Sequence, residues 1–242
     1  MTLILLGIIT GFLSGFFGIG GGTILVPLLL LYGFDMKSAV AISIMQMVFS
    51  SIYGSFLNSK KNKAILKDGI VIGLGGFLGG SLSGLIVPNV EALYLKYLFL
   101  AVIIFSIYRV SMSSIKESNQ EVKTHSKIVL ILVGFFIGML AMSIGIGGSI
   151  ILTPILVGYM LYNLKDAASL GLFFVIFSSI AGFISLSITG NMLFSEGIIV
   201  GIASLVGVYF GVKVKNATHL KSYKHLTLIL YVIILSIFIY KL

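Results

Sequence analysis

Two glycine clusters carry the unusual chemistry of this 242-residue chain: Gly18-Ile-Gly-Gly-Gly-Thr-Ile-Leu-Val-Pro27 and Gly145-Ile-Gly-Gly-Ser-Ile-Ile-Leu-Thr-Pro154. Each cluster closes one apolar run and leads straight into another, with a helix expected from Thr23 or from Ile150. Glycine allows a sharp turn and lets a ligand approach the backbone amides. A helix that starts there presents unpaired N–H groups and about half a positive charge, which suits an anion. Two such ends brought together would enclose a small oxyanion without any cationic side chain. The candidate substrate-binding residues are therefore Gly18, Gly20, Gly21, Gly22 and Thr23 in the first cluster, with Gly145, Gly147, Gly148 and Ser149 in the second. Close helix packing is the competing role. It fits Gly7, Gly11 and Gly15, spaced by four, together with Gly134 and Gly138. Three consecutive glycines exceed what a packing groove needs. Pro27 and Pro154 each remove a backbone donor, which either frees a carbonyl toward a cavity or kinks the helix.

A second polar group lies on the third apolar segment of each half: Ser43, Gln46, Ser50 and Ser51, then Ser169, Ser178 and Ser179. Hydroxyls there can donate to an oxyanion, or bond their own backbone or a neighbouring helix, and both readings stay open. Gln46 has no polar counterpart, because Phe174 stands in its place. No acid or base lies centrally in a long apolar run, so a proton relay has no evident carrier. Asp68 and Glu196 stand at expected helix starts, where the helix dipole accounts for them. The absence of cysteine removes disulfides and thiolate metal sites, and His125, His219 and His225 read as loop residues. No metal, no cofactor and no nucleophile–base pair is expected, which argues against an enzyme.

The elements that must position these groups follow from composition. The chain is 58% hydrophobic and 10% charged, with a mean hydropathy of +1.17, far from the quarter or so of charged residues in soluble domains. The net charge of +9 sits in short loops between apolar runs, so it reads as topology and contact with anionic lipid headgroups, with no nucleic-acid partner. Apolar stretches run at 2–17, 23–33, 38–57, 69–87, 92–111, 128–144, 150–161, 166–189, 196–213 and 223–240. Six are comfortable spans at about 20 residues each. The other four form two adjacent short pairs, each broken by a glycine cluster, which predicts two helical hairpins with tips inside the bilayer. The first run lacks a basic leader and a good cleavage site, so it reads as mature sequence.

The halves resemble each other at an offset of 127 to 128 residues. The two clusters agree at seven of ten positions, Phe49-Ser-Ser-Ile52 lies over Phe177-Ser-Ser-Ile180, and Asp68-Gly69 over Glu196-Gly197. Lys60, Lys61, Lys63 and Lys67 put the loop after the third segment in the cytoplasm, whereas its equivalent, 187–195, has no basic residue. Arg109, Lys116, Lys123 and Lys127 place the central linker inside, as do Lys213, Lys215, Lys221 and Lys224 for the loop near residue 218. The expected fold is an all-α integral membrane protein of two inverted-topology repeats, each a glycine-broken pair of short helices plus three full transmembrane helices. Repeat one covers 1–115, a basic cytoplasmic linker 116–127 and repeat two 128–242, with both termini outside a multi-pass cell-membrane protein. Secondary transporters commonly use this plan, with the substrate near the midplane.

The segment from Gly11 to Pro27, repeated from Gly138 to Pro154, resembles the TauE/SafE family of sulfite exporters, and the resemblance spans nearly the whole chain. It implies transport of a small sulfur-containing anion such as sulfite or an organosulfonate such as sulfoacetate. Gly22 against Ser149 and Val26 against Thr153 depart from a symmetric pattern, so the two tips are expected to contribute unequally. A passive anion channel and a carrier of small carboxylates are the alternative functions, and a homo-oligomer is compatible with all of them.

Overall fold

The computed structural model describes residues 1–59, 66–112, 126–158, 160, 162 and 164–241, without the side chains of 59, 66–68, 220 and 221. The loop lysines 60, 61 and 63, linker residues 116–125 and His125 lie outside the described residues. Every regular element described is a helix: α1 (Thr2–Phe17), α2 (Gly22–Tyr32), α3 (Met36–Ser59), α4 (Leu66–Gly80), α5 (Ser83–Asn89), α6 (Ala92–Met112), α7 (Lys127–Ile144), α8 (Ser149–Gly158), α9 (Leu164–Ile188), α10 (Phe194–Ala217) and α11 (Leu220–Tyr240). Among the described residues seven stretches are long and apolar enough to cross a bilayer, including Lys127–Ile144, while α1, α2 and α8 are shorter. The short reading of 128–144 is thus corrected, since its helix extends to 18 residues.

The exposed sides of these helices are as apolar as the buried ones. On α10, Val200, Val208 and Val212 face inward, and Ile198, Ile202, Val206 and Phe210 face outward. A helix apolar all round is stable when its outer face meets lipid, and this is a multi-pass membrane protein.

Polar residues set the helix ends. Asp35 precedes α3 and accepts from the backbone N–H groups of Lys37 at 2.9 Å and Ser38 at 3.0 Å, and from the Ser38 hydroxyl at 2.7 Å. Burial alone would raise the Asp35 pKa, but these hydrogen bonds together hold it below the ordinary carboxylate value. A carboxyl depressed in the folded state stabilises the fold above its unfolded pKa, and that contribution is lost as pH falls through the folded one. Asp35→Ala should therefore cost about 1 kcal/mol at neutral pH. Its deficit in detergent melting temperature should shrink as the pH falls below 4, and a deficit unchanged by acid would dissociate the cap from the charge.

Lysines close two other ends in corresponding places. Lys37 donates to the Pro88 carbonyl at 2.7 Å, and Lys165, 128 positions on, donates to the Thr218 carbonyl. Both satisfy terminal carbonyls where a positive charge also complements the helix dipole.

The two halves interlock. The first helix of each packs on the fourth segment of the other, α1 on α10 and α7 on α4, while α3 meets α10 and α9 meets α4. A Cβ built on Gly7 or Gly15 would lie 2.6 Å from the carbonyl oxygen of Val200 or Val208. On the reciprocal contact, a Cβ on Gly138 would lie 2.5 Å from that of Gly76. Gly11 and Gly134 abut Ser204 and Ile72 in the same way. The five glycines spaced for packing do pack, backbone against backbone. Deeper in the molecule Gly73 receives the ring of Phe177 and Gly201 that of Phe49, each ring carbon 2.5 Å from the built Cβ position.

Two expectations change here. The fourth segment of the first half is not one continuous helix, because α4 ends at Gly80 and α5 begins at Ser83. Ser185 of α9 bridges the break, accepting from the Gly84 N–H at 2.9 Å and donating to the Ser81 carbonyl. His225, read as a loop residue, lies within α11, on an exposed side.

Candidate functional site

Both glycine clusters adopt the same backbone path. Gly18 ends α1 with φ 69° and Gly145 ends α7 with φ 70°. Gly20 and Gly21 follow at φ 78° and 60°, Gly147 and Gly148 at 83° and 68°. Such values are open to glycine and costly for residues with a Cβ. The carbonyl of Gly21 then accepts from Ile24 and Leu25, and that of Gly148 from Ile151 and Leu152, which starts α2 and α8. Helix α2 begins at Gly22, one residue earlier than expected, and α8 at Ser149.

The tips meet. A Cβ on Gly20 would stand 3.6 Å from the Gly147 Cα, and one on Gly147 3.2 Å from the Ile19 carbonyl oxygen. Thr23 donates its hydroxyl to the Ile146 carbonyl at 2.8 Å, and Ser43 donates to the Gly145 carbonyl at 3.2 Å. All residues from Ser14 to Pro27 and from Ala141 to Pro154 are buried. Thr23, a candidate ligand from sequence, thus straps one tip to the other.

The helices behind the tips correspond, but their chemistry does not. A Cβ on Gly21 would lie 2.7 Å from Gln46 Cδ, with the amide oxygen and nitrogen closer still, whereas one on Gly148 would lie 2.5 Å from Phe174 Cε1. Gln46 is fully buried, and neither its Oε1 nor its Nε2 has a hydrogen-bond partner. Ser149 Oγ at the head of α8 and Thr153 Oγ1 one turn on are buried without partners as well. Ser149 faces Gly171 of α9, where a Cβ would come within 2.7 Å of the serine Cβ. An unsatisfied buried polar group costs about 1–3 kcal/mol, so this concentration at two helix N-termini suits a polar guest.

The serines divide differently. Ser50 reaches the Met47 carbonyl and Ser51 that of Val48, each at 3.5 Å, while Ser178 reaches Phe174 and Ser179 reaches Ile176 at 3.4 Å. All four are buried one turn or more beyond Gln46 or Phe174 and bond, weakly, to their own helices. Their hydroxyls bond within their own helices, and the tips with Gln46 and Ser149 form the compact part of the site. The Ile150 carbonyl, freed by Pro154, accepts from Ser106 of α6 at 3.3 Å, so it is not left open toward a cavity.

One charged group escaped the sequence reading. Lys215, assigned from its charge to a cytoplasmic loop, lies in the last turn of α10 with a buried side chain. Its ammonium donates to Ser169 Oγ at 2.8 Å. Its repeat-equivalent is Val87, so it belongs to one half only. The missed signal was helical phase, since Lys215 and Gly211 are one turn apart and Gly211 is buried.

Residues 3–240 match the family described as Sulfite exporter TauE/SafE. A "Probable membrane transporter protein" of Methanocaldococcus jannaschii is 34% identical over 193 residues, covering 76% of this chain and 70% of that protein. The "Probable membrane transporter protein YdhB" of Bacillus subtilis is 24% identical over 223 residues, covering 89% and 90%. A second B. subtilis protein, YunE, with the same description, is 22% identical and covers 91% and 89%. With the family pattern running from the third residue to nearly the last, and its duplicated glycine tips joined in one buried site, this chain belongs to the TauE/SafE sulfite exporter family.

Proposed function

We propose that this protein is a secondary transporter of a small anion, a sulfur-containing oxyanion or organosulfonate, held between the N-termini of α2 and α8. One observation carries the reading: the unpartnered amide of Gln46 stands against the N-cap of α2. Two helix ends supply partial positive charge, and a buried amide and hydroxyl supply donors. Neither requires a metal, a cofactor or a catalytic residue. The halves 1–115 and 128–242, joined by a cytoplasmic linker, would act as inverted repeats in the plasma membrane with both termini outside. Their reciprocal packing supports rigid movement of one against the other, which would part the tips toward each side in turn.

Counterflow tests this. Proteoliposomes loaded with unlabelled sulfite should take up labelled sulfite several-fold faster than empty ones, and Gln46→Leu should slow the accelerated uptake. Sulfite flux without acceleration would identify a pore, and a panel extended to sulfoacetate and small carboxylates separates the substrate classes.

A further inference from the structure

Gln46 says more than that an anion binds. Its amide offers two N–H donors and one carbonyl acceptor. Both ends are buried and unpartnered beside the Gly21 N-cap. An oxyanion made only of acceptor oxygens would satisfy the N–H groups and leave Oε1 stranded, at a cost of about 1–3 kcal/mol. A guest that also carries an O–H satisfies both.

The charge of the site points the same way. Among the described residues Lys215 is the one buried side chain with a formal charge, and it is held by Ser169. Ser169 stands about 160° round α9 from Gly171, the residue facing Ser149. With the Lys215 ammonium bound to Ser169, the groups that face the guest directly are two helix ends of about half a charge each. That sum balances one negative charge. A dianion would keep an uncompensated charge in a buried site, which is far more costly.

We infer that the site selects a singly charged oxyanion bearing one protonated oxygen, with Gln46 Oε1 accepting from that O–H while Nε2 and the helix N-termini hold the bare oxygens. This rests on the anion-transport reading above and narrows it to one protonation and charge class. At the opposite tip Phe174 takes the place of Gln46, so the second helix end offers hydroxyls but no amide and the guest is oriented.

The test uses pairs of matched shape in proteoliposomes of the full chain, at a fixed pH of about 6. Methylphosphonate, as a monoanion with an O–H, is paired with methanesulfonate, a monoanion without one, and hydrogenselenite is paired with chlorate. Sulfate supplies the dianion. The O–H member of each pair should be taken up at least about tenfold faster, with sulfate slower than either. Gln46→Met should bring each ratio close to one. Equal uptake within the wild-type pairs overturns the O–H requirement while anion transport stands, and this arm needs no variant to fold. Sulfate uptake equal to that of the monoanions overturns the charge selection. Uptake of none of the five, nor of sulfite, removes the anion reading itself and this inference with it.

Discussion

Gly21→Val should reduce anion uptake to below about 1% of wild type while the purified protein keeps its helical content. Gly21 is the N-cap of α2, at φ 60° and ψ −44°, a conformation that a β-branched residue adopts only under strain of about 1–3 kcal/mol. Its carbonyl begins the helix by accepting from Ile24 at 3.1 Å and Leu25 at 3.0 Å, so relaxing the strain misdirects the N–H groups that face a ligand. The new side chain would also displace Gln46, whose Cδ lies 2.7 Å from the Cβ position. The loss therefore falls on the site, not on the scaffold. Gly33→Ala is the control: its φ is also positive, at 106°, but nothing lies within 4 Å of a Cβ there. That variant should carry anions at close to the wild-type rate. Uptake by Gly21→Val at half the wild-type rate or more would mean that the tip is only a turn.

The second large effect is on stability. Gly11→Val places a Cβ 2.7 Å from the Cα and 2.8 Å from the carbonyl carbon of Ser204, and the carbonyl oxygen is closer still. Backbone cannot rotate aside as a side chain can, so α1 and α10 must separate along their length. Overpacking of this kind costs about 3 kcal/mol or more. Gly138→Val should do comparable damage, because its Cβ would lie 2.8 Å from the Cα of Gly76 on α4. Both variants should melt well below wild type in detergent, by tryptic resistance or size-exclusion recovery after heating. A variant that melts with wild type would show that its helix pair is not held by close approach.

The parts of this molecule that were legible in its sequence are those with a local cause. Gly18, Gly20 and Gly21 break the chain wherever they fall, and their echo at Gly145, Gly147 and Gly148 needs only a comparison of the halves. Packing glycines spaced by four are equally local. What was hidden depends on partners far along the chain. Gly79 and Gly80 before Ser81 double as packing glycines against Phe135 and Ser178, and the group that satisfies the break is Ser185, 104 residues from Ser81. Lys213 and Lys215 look alike in sequence, yet one is exposed and the other buried, since only Lys215 reaches Ser169 on α9. Gln46 stood out early as a polar residue without a counterpart. Its position beside Gly21 depends on how α2 folds back on α3. The matched serines show the reverse: duplication preserved Ser50, Ser51, Ser178 and Ser179 in sequence, and each also finds a carbonyl partner on its own helix.

The interlocking of α1 with α10 also governs how the chain is made. The groove that accepts Gly7, Gly11 and Gly15 is built from Val200, Ser204 and Val208, so α1 waits for this partner until α10 has followed it through the ribosome. At about 5–20 residues per second that wait is roughly 10–40 s. During it a short, apolar α1 must be kept by lipid or by the insertion machinery. Its repeat counterpart α7, by contrast, finds its partner α4 already synthesised. The second half can therefore dock on emergence while the first half waits, and assembly proceeds from the middle of the chain outward.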